Sequence, residues 1–90
     1  MTLEQAKNLK PYDHIYAVDY DASPPRVIRV KVNGKPKTWK RRPNDVLIPV
    51  KYGLYTYFDI WDNDLDCWYL TEDEAQAELQ RFLAKRKKKA

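Results

Sequence analysis

Residues 26–51 read RVIRVKVNGKPKTWKRRPNDVLIPVK, and the fold turns on how this run pairs. From Arg26 to Val32 the residues alternate: Ile28, Val30 and Val32 share one face, and Val27, Arg29 and Lys31 the other. Period-two alternation predicts a half-buried antiparallel strand. Asn33-Gly34 follows, and both residue types tolerate the positive φ of a type I′ turn. The spacing therefore predicts a hairpin over 26–40, with Lys35 to Lys40 as the return strand. Arg41 to Asp45 reads as a loop and Val46 to Lys51 as a further strand, in which Pro49 argues for an edge or a bulge.

Before this run, Thr2 with Gln5 three residues on is a capping-box pattern for a short first helix. Leu3, Ala6 and Leu9 would form its buried side and Pro11 its stop. His14 to Tyr20 has the β-branched and aromatic content of a strand, but apolar residues on both faces leave its inward side open. DASPP at 21–25 reads as a loop, since adjacent prolines do not sit inside a central strand.

After it, Tyr52-Gly53-Leu54 turns the chain and Tyr55 to Trp61 predicts a fifth strand. Asp62-Asn63-Asp64 reads as a polar turn, and Leu65 to Leu70 as a short sixth strand. Thr71 with Glu74 opens a C-terminal helix whose Ala75, Leu79, Phe82 and Leu83 fall on one face. Leu79 and Phe82 are expected to be buried there. Acids at the start of this helix and bases at its end suit its dipole.

The fold expected is mainly β: a small SH3-like barrel of five to six short antiparallel strands, with a short N-terminal helix and a C-terminal helix. An OB-like barrel is the second choice. Ninety residues suffice for one domain. It is placed at 1–84, followed by a basic tail at 85–90 that is expected to fray.

Charge is arranged in blocks. Net charge is −2 over 1–25, +8 over 26–51, −8 over 52–79 and +6 over 80–90, which sums to +4. Basic blocks suit nucleic acid, an anionic surface or an acidic protein, unless the +8 and −8 blocks neutralise each other within the fold. The constellation with the most chemistry is Lys35, Lys37, Trp39, Lys40, Arg41 and Arg42. Lysine and arginine neutralise phosphates, and an exposed indole stacks on a base. A tryptophan in such a position is more often a core residue than a stacking platform, so Trp39 also has a core reading. The tail KRKKK at 85–89 is a second phosphate-binding candidate.

Catalytic, metal and cofactor sites are not expected. Asp62, Asp64 and Asp66 match the start of a calcium loop, but Cys67 stands where the turn needs glycine. Cys67 is the single cysteine and is expected to be a small core residue, and His14 a structural one. One thiol without a disulfide partner fits a reducing cytosol, and no apolar run approaches a membrane span. A cytoplasmic monomer or weak homodimer is expected, with nucleic acid or an unidentified protein as partner.

AVDYDAS at 17–23 resembles the ALYDY-type start of eukaryotic SH3 domains. The later SH3 signatures, a Trp-Trp pair and a Pro-x-x-Tyr segment, do not follow in order, so proline-peptide binding is not implied. Over residues 10–70, the run KPYD…VNGKPKTWKRRPNDVLIPVKYGLYTY…WYL is similar to short uncharacterised proteins of phages and prophages. That resemblance implies a compact barrel and no known activity.

Overall fold

The computed structural model describes residues 1–89, with side chains described through Arg86. The elements run α1 (Leu3–Lys7), β1 (His14–Asp19), β2 (Arg26–Val32), β3 (Lys37–Trp39), β4 (Arg42–Tyr52), β5 (Thr56–Trp61), a 3₁₀ helix η1 (Asp62–Cys67) and α2 (Glu72–Lys89). The protein is mainly β with a helix at each end. Its five strands form one antiparallel sheet. The sheet is not closed into a barrel: among the described residues β5 and β1 share no ladder. The chain instead leaves β5 through η1 and meets β1 at one isolated bridge, Tyr16 to Tyr69.

The hairpin expected at Asn33-Gly34 does not form. β4 is the central strand, with β5 along one edge. Along its other edge lie β2 and then β3, with Val32 opposite Val50 and Thr38 opposite Val46. β2 and β3 are thus two parts of one bent strand. Positive φ occurs at Tyr12 and Gly53, not at Asn33 or Gly34. The Asn33 amide instead donates to the Pro49 carbonyl at 2.7 Å. The reversal comes at Lys40 and Arg41, between the paired residues Trp39 and Arg42. The stretch expected to be a loop at 41–45 is therefore mostly the start of β4, an 11-residue strand. Burial explains the outcome. Val46, Ile48 and Val50 are at most 1% exposed, and strand pairing on both edges of β4 encloses them.

Pro49 sits in this central strand without loss. From Val32–Val50 to Lys37–Leu47 the bent strand advances five residues and β4 three, so the bulge lies opposite Pro49. The backbone N and C=O of an antiparallel residue point to the same neighbour. The Pro49 carbonyl points at Asn33, so its missing donor faces the break in the ladder.

The predicted sixth strand is instead η1, with Tyr69 alone bridging. In a 3₁₀ turn residues three apart lie over one another, which lets Leu65 and Trp68 both enter the core. The terminal ammonium of Met1 donates to the Leu65 and Trp68 carbonyls at 2.8 and 2.7 Å, closing the end of η1. Cys67 points outward and is exposed, contrary to the expectation of a core thiol.

The first capping box forms as read, and at the second Thr71 caps α2 while Glu74 takes its hydroxyl and not its backbone N–H. Thr2 and Gln5 exchange the two hydrogen bonds of a capping box, and α1 buries Ala6. The Glu74 amide donates to the Thr71 hydroxyl, which donates to the Glu74 carboxylate. α2 packs on β1 and β2, burying Ala75 and Leu79. Phe82 is only half-buried, not fully as expected, and meets Tyr20 edge-on at 4.7 Å. α2 continues through Lys89. Of the tail expected to fray, the side chains of 87–89 and all of residue 90 lie outside the described residues.

Candidate nucleic-acid interface

Residue parity along β4 defines two faces. Val46, Ile48 and Val50 point into the core, while Leu47, Pro49 and Lys51 point out and are half-buried. Register carries the outward row across the sheet. Lys37, Leu47 and Trp61 are cross-strand neighbours on β3, β4 and β5. A second row runs His14, Lys31, Lys51, Tyr57 over β1, β2, β4 and β5.

The six residues singled out from sequence fall together, though on a different frame from the one predicted. Lys35 is exposed in the kink between β2 and β3, and Lys37 is exposed on β3. Lys40 and Arg41 form the tight turn, and Arg42 opens β4. Trp39 is half-buried, neither core nor free. It stacks on Trp61 with ring planes 6° apart and centroids 6.1 Å apart, and the Arg42 guanidinium lies 5.7 Å from its centroid. Arg42 also pairs with Asp45 at 3.2 Å. Sequence reasoning missed two members. Trp61, 44% exposed, is the more open ring of the stacked pair. Lys7 reaches the turn from α1 and donates to the Pro43 carbonyl at 2.6 Å. Only the β3–β4–β5 register brings Trp61 here, and that was hidden by the misplaced hairpin.

Of the acidic block, Asp59 lies on the outward face of β5 between Tyr57 and Trp61. Asp62, Asp64 and Asp66 belong to η1, where Asp62 accepts from the Val46 amide of β4 at 3.5 Å, and Glu72, Asp73, Glu74 and Glu78 belong to α2. The ion pairs of the described residues are Arg42–Asp45 and Arg81–Glu78, neither of which joins the +8 block to the −8 block. The blocks therefore do not neutralise each other by direct pairing. Around α2, burial and the Glu78 carboxylate push the Tyr20 and Tyr69 phenols above their ordinary range. The hydrogen bond to Glu78 holds the Arg81 guanidinium even more firmly protonated. In the basic tail, Lys85 and Arg86 are exposed, and Arg86 rests over Phe82 at 5.6 Å.

The arrangement sets cations and flat rings side by side at the β3–β4 end of the sheet. Among the described residues, no three His, Cys, Asp or Glu side chains converge on a metal position, and no helix is long and apolar enough to cross a membrane. The class defined by fold and site is a small antiparallel β domain with an open basic-aromatic face. No family model, curated protein or solved structure matches the chain.

Proposed function

We propose that this chain is a non-enzymatic, cytoplasmic binding module that holds nucleic acid through its basic turn and the adjoining outer face of the sheet. The observation that carries the reading is clustering. Lys40, Arg41 and Arg42 stand together at a tight turn beside the Trp39–Trp61 stack. Cations so placed release counterions from phosphates, and an exposed indole gives bases a platform. The proposal includes an SH3-like barrel, phage-derived in line with the resemblance of residues 10–70. Support for the barrel comes from the route through η1 back to β1 at Tyr69, the connection a small barrel needs to close.

The test is fluorescence anisotropy with labelled single- and double-stranded oligonucleotides at several salt concentrations. K40A/R41A/R42A should weaken binding and reduce the slope of log affinity against log salt by about 2 on single strands, three contacts at about 0.7 each. Absence of binding at roughly 100 µM in low salt, the weak end of non-specific affinity, overturns the reading. A protein partner is then favoured by the β4–β5 tip, where Leu54 and Tyr55 are 74% and 89% exposed.

A further inference from the structure

Away from the basic turn, the outer face holds a second cationic feature. A depression of roughly 340 Å³ is lined by His14, Arg29, Lys31, Lys51, Gly53 and Leu54. Lys31 and Lys51 are direct cross-strand partners, His14 is opposite Lys31, and Arg29 is two residues along the same face. Like charges directly opposite each other destabilise a sheet. Among the described residues, neither lysine has a carboxylate partner. Their ammonium groups rest on rings instead, Lys31 5.4 Å from the Tyr12 centroid and Lys51 5.4 Å from that of Tyr57.

Two further features mark the depression. Tyr12 holds φ at 75°, a left-handed conformation costly for a bulky side chain. Its amide donates to the Val32 carbonyl at 2.8 Å, which fixes the backbone that carries the ring beside Lys31. The rings are also open: Tyr12 is 76% and Tyr57 59% exposed. Tyr57 and Trp61 share the outward face of β5 four residues apart, about 13 Å along a strand.

We propose that this depression is a phosphate site for single-stranded nucleic acid. Lys31, Lys51 and Arg29 hold a backbone phosphate, and the neighbouring base stacks on Tyr57. The strand then runs towards Trp61 and the basic turn, with its phosphates kept off Asp59, which shares that face of β5 between the two rings. A single strand fits because its bases are free to turn onto rings, whereas those of a duplex are stacked on one another. This inference rests on the nucleic-acid reading and adds to it a second contact point and a preference for single strands.

The experiment combines amide chemical-shift mapping with anisotropy on the full chain, using oligothymidylate, a duplex of equal length and inorganic phosphate as separate probes. Oligothymidylate should shift the amides of residues 29, 31, 51, 53 and 54 as well as those of 39–42. Inorganic phosphate alone should shift the first group at millimolar concentration. K31Q/K51Q should keep the wild-type melting midpoint and lower the single-strand salt slope by about 1.4, two contacts at about 0.7 each. Tyr57→Ala should weaken single-strand binding, and Tyr57→Phe should restore it. If K31Q/K51Q binds as wild type while K40A/R41A/R42A does not, the nucleic-acid reading stands and this site is overturned. If the wild-type chain binds no oligonucleotide, both fall.

Discussion

The outer face of the sheet is two surfaces with different fates. α2 lies over the Val18–Val27 end of β1 and β2, where Val18 is buried and Val27 half-buried, whereas His14 and Arg29 further along are exposed. Over β4 and β5 the outward residues are Leu47, Pro49, Lys51, Tyr57, Asp59 and Trp61. Under α2, β1 is apolar at both parities, so Ala17 and Val18 are both buried although they are consecutive. In the open half, parity is kept: Val46, Ile48 and Val50 are buried and the residues between them are not. The difference teaches that alternation in a strand reports whether a second layer exists. A run that is apolar on both faces calls for a cover, and one that alternates leaves a face free for function.

Two leucines make the contrast measurable. Leu79 of α2 is 7% exposed and packs over the covered half, while Leu54 at the β4–β5 tip is 74% exposed. Leu79→Ala should cost about 2–5 kcal/mol of unfolding free energy, a large part of what a small domain has. Leu54→Ala should stay within about 0.5 kcal/mol. Phe82→Ala should fall below the roughly 3–5 kcal/mol of a fully buried phenylalanine, since its ring is only half-buried. Urea unfolding of the three variants decides. Equal losses at the two leucines would break the comparison.

The same contrast explains what could be read in advance. Caps are local: Thr2 with Gln5 and Thr71 with Glu74 need only three residues of spacing, and both formed. The limits of β2 were legible because alternation is local too. The partner of β2 was not, because pairing is a long-range competition. Asn33-Gly34 has the chemistry of a tight turn, yet the chain runs on past it, so that β2 and β3 both line one edge of β4, with Val32 opposite Val50 and Thr38 opposite Val46. The basic residues from Lys35 to Arg42 were legible as a cluster in sequence. Trp61 and the Lys31–Lys51 pair were not, since both depend on register across β4. The end of η1 was hidden for a related reason: its carbonyls are capped by the ammonium of Met1, 64 and 67 residues away in sequence.

Gly34 sharpens the point at a single position. A Cβ there would lie 3.3 Å from Cγ of Pro49, and the residue has no positive φ to protect. Gly34→Val should cost about 1–3 kcal/mol by overpacking against the Pro49 ring. A turn glycine would lose stability whatever occupied position 49. Here much of the loss should vanish in the Pro49→Ala background, with a coupling of about 0.5 kcal/mol or more in a double-mutant cycle. Thermal melts of the four chains give the cycle, and additivity would return the position to a turn.

The smallest effect expected is on the open face, and its sign matters more than its size. Lys51 stands directly opposite Lys31 and beside Tyr57. Lys51→Glu turns a like-charge cross-strand pair into an opposite-charge one, a change that favours the fold by about 0.2–1 kcal/mol. It also removes the cation from the Tyr57 ring, a loss of about 0.5–1 kcal/mol at an exposed site. The two nearly cancel in ordinary buffer, which leaves salt as the discriminator. Cross-strand attraction between exposed charges fades as the Debye length falls from about 10 Å at 0.1 M salt to about 3 Å at 1 M. Lys51→Glu should therefore match or exceed the wild-type melting midpoint at low salt and fall behind it at 1 M. Over the same change it should lose affinity for single strands at every salt concentration. A covered surface would answer differently, with stability lost at all salt concentrations because a buried charge is left without a partner. That second pattern would mean that the lysine row is part of the packed structure and not a surface kept open for a phosphate.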